Sequence, residues 1–321
     1  MNYPHLQNGI KMGEKMKDYL NEINDLFPVR KKFNDKTKFI EYVKQEVTEY
    51  DIEIQQQKKT RNVVIGDIEK AKVVFTAHYD TPARSVIPNI MMPVNKVIYF
   101  GYTIVFAMII VTVSLTLARH ISAMLEIDNR QITISIYLVI YFASFYFMML
   151  AFENKHNKND NTSGVATVMS LIKSIDKNSN VAFILFDDEE KGLVGSKKFY
   201  NKHKKIMEDK PLINLDCVGN GNEIVVILNN EEMTYANLLK ETVVSSVRYN
   251  VRFYNKKQAM GNSDQKHFKN GVGVFACHKG KFIKLYTPYI HTSKDTVADV
   301  ENIDFLIKRL TNFVNKINEE R

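Results

Sequence analysis

Two uncharged stretches limit what this chain can fold into. From Val97 to Ala118 there is no charged side chain, and Arg119 closes the run; from Ile132 to Phe152 there is again none, and Glu153 closes it. Each is about 20 residues long, enough for a helix to cross the ~30 Å hydrocarbon core of a bilayer. A polar connector with Arg119, Glu126, Asp128 and Arg130 lies between them. Tyr99, Tyr102, Tyr137, Tyr141 and Tyr146 suit the membrane–water interface or helix contacts. The alternative is a pair of buried core helices. Two such spans joined by a short polar loop fit a transmembrane hairpin better.

Neither span reads as a signal peptide, because both begin far from Met1 and Met1–Lys11 has no apolar run. Arg84 and Lys96 precede the first span and Lys155 and Lys158 follow the second. The positive-inside rule then predicts an integral, two-pass protein with both termini and any catalytic domain in the cytoplasm. A lipid bilayer is thus an expected partner.

Outside the hairpin, helix and strand patterns alternate. Met12, Met16, Tyr19, Leu20, Ile23, Leu26 and Phe27 fall at helical spacing, and Asp35 is placed to cap a second helix bearing Phe39, Ile40, Val43 and Val47. Strands are predicted at Arg61–Gly66, Lys72–His78, Val181–Phe186, Ile213–Cys217, Glu223–Leu228 and Val272–Cys277. Helices are predicted from Thr162, after Gly192, over Glu231–Val247 and from Glu301. This pattern predicts an α/β fold, a mixed and largely parallel sheet flanked by helices. The expected division is 1–94 and 154–321 as two parts of one catalytic domain, with 95–153 inserted as the hairpin (spans about 97–118 and 132–152).

Charge and cysteine content exclude several classes. A quarter of the residues are charged and 45 % are hydrophobic, unlike a disordered chain. Two cysteines exclude a disulfide scaffold. The net charge of +8 is spread over Lys-rich helices, without a basic patch interleaved with aromatics, so no nucleic-acid partner is expected.

The chemistry lies where predicted strands end. Val73–Ala77 runs into His78-Tyr79-Asp80, and side chains two apart on a strand share a face. His78 can therefore ligate a metal while Asp80 holds its other ring nitrogen; alone, a His at a strand end is more often a surface residue. Asn159–Gly164 precedes a helix and in isolation reads as an N-cap turn. Val181–Phe186 runs into Asp187-Asp188-Glu189-Glu190, either a solvated acidic loop or ligands with an adjacent base. Ile213–Leu215 ends in Asp216, and His291 stands ahead of Asp295. Taken together, His78, Asp160, Glu190, Asp216 and His291 form a His₂–carboxylate₃ set suited to Zn²⁺. If Asp160 bridges, two metals receive three ligands each.

The order and wording of six segments resemble the twenty-eighth metallopeptidase family, the co-catalytic di-zinc aminopeptidases. They are HYDTP (His78–Pro82), NDNTSG (Asn159–Gly164), EEKGLVGS (Glu189–Ser196), NLDCVGNG (Asn214–Gly221), GNSD (Gly261–Asp264) and YIHTSKDT (Tyr289–Thr296). The resemblance covers most of the chain outside the hairpin, more loosely over the first sixty residues. It implies a cofactor of two Zn²⁺ per chain, one on His78, Asp160 and Asp216 and the other on Asp160, Glu190 and His291. It also implies Glu189 as general base, Asp80 as the partner of His78, and a cis peptide between Asp160 and Asn161. The implied substrate is a peptide with a free amino terminus. Gln265 and Cys217 stand where many members have His and Met, and the hairpin replaces a short loop. Two rivals are a glutaminyl cyclase-like acyltransferase of the same fold, with one zinc, and a peptidase-like membrane receptor or scaffold without activity.

Overall fold

The computed structural model describes residues 17–85, 89–147 and 152–319. Met12 and Met16, expected in the first helix, lie outside them; α1 covers Tyr19–Leu26. It is followed by α2 (Phe33–Glu46), β1 (Ile52–Gln57), β2 (Thr60–Ile65), β3 (Val73–His78), β4 (Asn89–Met91), α3 (Lys96–Met124) and α4 (Arg130–Tyr146). After the hairpin come α5 (Gly164–Ser174), β5 (Val181–Phe186), α6 (Val194–Met207), β6 (Leu212–Leu215), β7 (Glu223–Leu228), α7 (Ala236–Thr242), β8 (Asn250–Asn255), β9 (Gly271–Lys279), β10 (Leu285–Ile290) and α8 (Val300–Glu319).

The strands form one ten-stranded sheet in the order β1-β2-β5-β3-β6-β9-β10-β4, with β7 pairing β9 and β8 pairing β7. Its centre, β5-β3-β6-β9, is parallel, while β2, β7 and β10 join it antiparallel. Both faces are covered. Val73, Phe75 and Ala77 pack with α5 and α8 on one side, whereas Val74, Ala182, Ile184 and Phe186 pack with Phe199, Met207 and Phe268 on the other. Central strands covered on both faces read as continuous apolar runs, and these are the strands the sequence predicts. The unpredicted ones are the outlying strands β1, β4 and β8, and β10, which lies between β9 and β4. Asp35 does not cap α2 as expected. Lys32 occupies that position, and Asp35, three residues later, accepts the Lys32 main-chain N–H at 3.3 Å. The predicted helix Glu231–Val247 shrinks to Ala236–Thr242, because Tyr235 takes a left-handed φ of 67° at its start.

α3 runs 29 residues, six beyond the expected boundary at Ala118, since Arg119 ends the apolar run but not the helix. It packs on α4 through small residues four apart, Ser114, Ala118 and Ser122, which are its buried positions. Ser122 accepts the Thr133 hydroxyl at 2.9 Å. Among the described residues one helix, Lys96–Met124, is long and apolar enough to cross a membrane, and almost none of it is buried in the protein. The expected second span includes residues 148–151, outside the described residues; α4 as described has 17 residues. The hairpin is rooted in the sheet domain. Ala83 and Glu153 form a β-bridge at its base, and Arg84 N–H donates to the Phe152 carbonyl at 2.8 Å.

Two buried cations from the N-terminal segment hold the sheet's C-terminal edge. Arg30 donates from Nε to the Tyr79 carbonyl (2.6 Å), from Nη1 to Phe27 (2.7 Å) and from Nη2 to Thr162 Oγ1 (3.0 Å). Lys36, on α2, pairs with Asp187 and, at 2.7 Å, with Asp188. Removing one partner of a buried pair leaves a charge without compensation. We expect Lys36→Met to cost about 3–5 kcal/mol, seen as a lowered midpoint of chemical unfolding; an unchanged midpoint would show that water, not Lys36, balances these acids.

Candidate metal centre

The C-terminal ends of three adjacent parallel strands, β5, β3 and β6, build one side of the site, as open α/β sheets do. β3 ends in His78, in register with Phe186 at the end of β5, just ahead of the acidic run. β6 runs into Asp216. The turn Lys158–Ser163, which leads into α5, supplies Asp160, and the end of β10 supplies His291.

The turn is locked onto β6 by its own polar side chains. Asn161 Oδ1 accepts from Cys217 N–H (3.2 Å) and Gly164 N–H (3.0 Å), and Asn159 Oδ1 accepts from Gly219 N–H (2.9 Å). The peptide between Asp160 and Asn161 is cis. Gly164 allows the close approach, since a Cβ there would stand 2.2 Å from the Leu215 carbonyl oxygen. Asp188, Leu193, Cys217 and His291 hold positive φ of 54°, 61°, 53° and 60°. Such conformations cost roughly 1–3 kcal/mol each and gather at functional sites.

Asp160 sits at the centre. Its Oδ1 lies 3.3 Å from His78 Nε2, which is also 3.7 Å from Asp216 Oδ1. Its Oδ2 lies 3.0 Å from His291 Nε2, which is also 3.3 Å from Glu190 Oε2. The five expected ligands are thus brought together as two triads sharing Asp160, each with its donor atoms within 4.8 Å of one another. The donors suit the metal. Buried Glu190 Oε1 and Asp216 Oδ1 have no hydrogen-bond partner, and two imidazoles with three carboxylates match the ligand preferences of zinc. Burial, then the Asp160 charge, pushes Glu190 up to about 8 against the pull of His291. His291 is drawn down by burial but held up at about 9 by Glu190 and Asp160. The carboxylates thus draw in positive charge, here a proton on Glu190 or His291, and a divalent cation can supply it instead. A fourth acidic cluster, Asp80 with Asp187 and Asp188, is answered by Lys36 instead.

Asp80 lies beside His78, as expected, and has a further role. His78 Nδ1 donates to the Asp80 main-chain carbonyl at 3.1 Å, leaving Nε2 for a metal; the carboxylate is farther, at 3.6 Å. That carboxylate accepts the main-chain N–H groups of Glu189 (3.0 Å) and Glu190 (3.2 Å). It therefore orients the acidic pair. Glu189 faces His78 and Glu190 within the same cluster, and burial raises its carboxyl well above the ordinary range. Cys217 is buried, and burial followed by the charges of Asp160 and Asp216 keeps its thiol protonated. Asp295 was given no role from sequence. It accepts the N–H groups of Asn159 (3.2 Å) and Asp160 (2.9 Å), and its only sequence signal was its place four residues beyond His291.

The family model for peptidase family M28 matches residues 154–308. That match covers just under half of the chain. With the ligand cluster described above, the match supports a zinc metallopeptidase. No curated protein sequence matches the chain. Among solved structures it resembles the LapA aminopeptidase of Legionella pneumophila, at 14 % identity and a TM-score of 0.58, over 93 % of this chain and 70 % of that one. It also resembles a Zn-dependent exopeptidase from Parabacteroides distasonis (14 %, TM-score 0.54, 92 % and 95 % covered). Glutaminyl cyclase from Porphyromonas gingivalis is similar too (12 %, TM-score 0.57, 93 % and 96 %). At these identities the likeness is one of fold, and it does not choose between hydrolysis and acyl transfer.

Outer hydrogen bonds to a ligand's own peptide typically tune metal affinity about 10–100-fold. Asp295→Ala should weaken metal binding by that order, read by competition with a chromophoric chelator. Unaltered affinity would mean that the Asn159 and Asn161 bonds alone hold Asp160 in place.

Proposed function

We propose that this protein is a membrane-anchored di-zinc aminopeptidase that removes residues from the free amino end of a peptide, with its catalytic domain in the cytoplasm. The observation that carries the reading is the division of Asp160, whose two oxygens face separate histidine–carboxylate sets. His78, Asp160 and Asp216 would hold one ion, and Asp160, Glu190 and His291 the other. Bound there, the ions supply Lewis acidity toward the scissile carbonyl and toward water.

The chain's own groups do the rest. Glu189 accepts a proton from the attacking water and passes it to the leaving amine. Asp80, through the Glu189 main-chain N–H, keeps that carboxylate aimed. The carboxylates around the ions meet the α-ammonium of the substrate, which favours an exopeptidase. The second ligand set, Glu190 with His291, supports two metals and peptide hydrolysis over a one-metal acyl transfer. The intact ligands and base argue against an inactive receptor. Anchoring is supported by the apolar surface of α3, the uncharged stretch over 132–152 and the lysines and arginines at the hairpin's base.

In one experiment, aminoacyl anilides and short peptides should be cleaved by the zinc-loaded protein, and their N-acetylated forms about 10²-fold or more slowly. Glu189→Gln should lower the rate by about 10²–10⁴ with zinc content retained. Equal rates on free and acetylated peptides would reject the exopeptidase. One zinc per chain with a cyclised glutaminyl product would point to acyl transfer. Separately, the protein should stay in the membrane pellet after an alkaline carbonate wash; release into the supernatant would reject the anchor.

A further inference from the structure

The cavity at the ligand cluster does not stop at the sheet domain. It encloses about 610 Å³, and its walls include both His78, Asp160, Glu189 and Glu190 at one end and the hairpin at the other. On α3 the lining runs from Tyr99 through Phe106 to Ile110, and Tyr141 and Phe145 of α4 complete it. From Tyr99 to Ile110 the helix rises about 16 Å. That volume lies in the range of sites that hold whole drug-sized ligands, more than one amino-terminal side chain needs. An extended peptide covering 16 Å has about five residues.

The cavity is polarised. Every Asp and Glu lining it belongs to the cluster, and no Lys or Arg lines it; the α3 and α4 end is mostly aromatic and aliphatic, its polar groups being the hydroxyls of Thr103 and the tyrosines. The wall is also held in register with the ligands. β4, which leads into α3, pairs with β10, whose end carries His291, and Ser85 N–H donates to the His291 carbonyl at 2.7 Å. Lys96, the first residue of α3, donates from Nζ to the Lys257 carbonyl at 2.7 Å.

We propose that the hairpin forms one wall of the substrate cleft and selects apolar peptides, with the free amino end at the ligand cluster and the apolar residues after it laid along α3 and α4. This rests on the aminopeptidase reading and adds the substrate class. An apolar peptide gains by leaving water for this wall, roughly in proportion to the apolar area covered. A polar peptide with the same first residue gains nothing there and leaves its polar side chains unpaired.

The test uses the full chain in detergent micelles, loaded with zinc, and two hexapeptides that both begin with leucine. One continues with leucine, valine and phenylalanine residues, the other with serine, asparagine and glycine. We expect kcat/KM for the apolar peptide to exceed that for the polar one at least 10-fold. Ala107→Trp, which fills the cavity from α3, should reduce that ratio at least 10-fold. Val113→Trp, on the exposed flank of α3 away from the cavity, should leave the ratio as it is. Equal kcat/KM for the two peptides, or equal effects of the two substitutions, overturns the proposal. A second readout needs no turnover: the apolar peptide with photoreactive leucine at its third position, bound to Glu189→Gln, should cross-link within Tyr99–Ile110. Cross-links along Val113 and Leu117 instead would show that the peptide merely dissolves in the micelle, and would also overturn it. If neither peptide is cut but the cross-links fall within Tyr99–Ile110, the aminopeptidase reading fails and the cleft assignment stands.

Discussion

The constraint on which this structure depends is the crowding of buried carboxylates at one edge of the sheet. Asp80, Asp160, Asp187, Asp188, Glu189, Glu190, Asp216, Asp264 and Asp295 lie within a few residues of the ends of β3, β5 and β6 or in the turns facing them, and most are buried. They cannot all be ionised in a low-dielectric setting without nearby positive charge. The chain answers on two levels. Lys36 and Arg30 reach in from the N-terminal segment and neutralise or bridge the outer part. Main-chain N–H groups meet Asp80 and Asp295. What remains is the inner ring around Asp160, faced by His78 and His291 and with Glu190 Oε1 and Asp216 Oδ1 left without a hydrogen bond, a donor set that suits metal ions. Burial pushes Asp264 up to about 7, with the charges of Asp80 and Asp216 adding to the effect, so this acid can relieve the crowding by taking up a proton.

Much of the fold is legible in the sequence because its centre is apolar on both faces. Val73–Ala77 and Val181–Phe186 have few other ways to bury such runs. The edges are harder. β1 is Ile-Glu-Ile-Gln-Gln-Gln, with only Gln55 buried, and β10 contains Pro288, which argues against a strand by the usual rules. β4 is three residues long and pairs only with β10. β4 takes its strand character from β10, distant in the chain, whereas β1 and β10 pair with their sequence neighbours β2 and β9 although their own residues read poorly as strands.

The candidate ligands were legible for a related reason: each is a His, Asp or Glu where a strand or turn ends. The supporting bonds were not. Asp80 keeps its carboxylate 3.6 Å from His78, as expected, but its main-chain carbonyl, which accepts from His78, and its bonds to the Glu189–Glu190 backbone carry no residue signature. Asp295 and Arg30 act on main-chain groups, which have no residue signature. The shared wall between hairpin and ligand cluster was equally hidden. It follows from the pairing of β4 with β10 and the anchoring of Lys96, not from any property of the apolar spans themselves.

The β-bridge between Ala83 and Glu153 has a consequence for how the molecule tolerates its insertion. It brings the two ends of the excursion side by side, so the sheet domain meets some seventy residues as it would a short turn, and the entropy of closing the loop falls on the helix pair. Within it only β4 joins the sheet, at its β10 edge, so the register of the central strands does not depend on the helix pair. Yet on the reading proposed here the same helices line the cleft. If that reading holds, removing the helices would leave the His78–Asp160 cluster in place and change which peptides fit beside it, so that attachment and substrate choice would share one piece of chain.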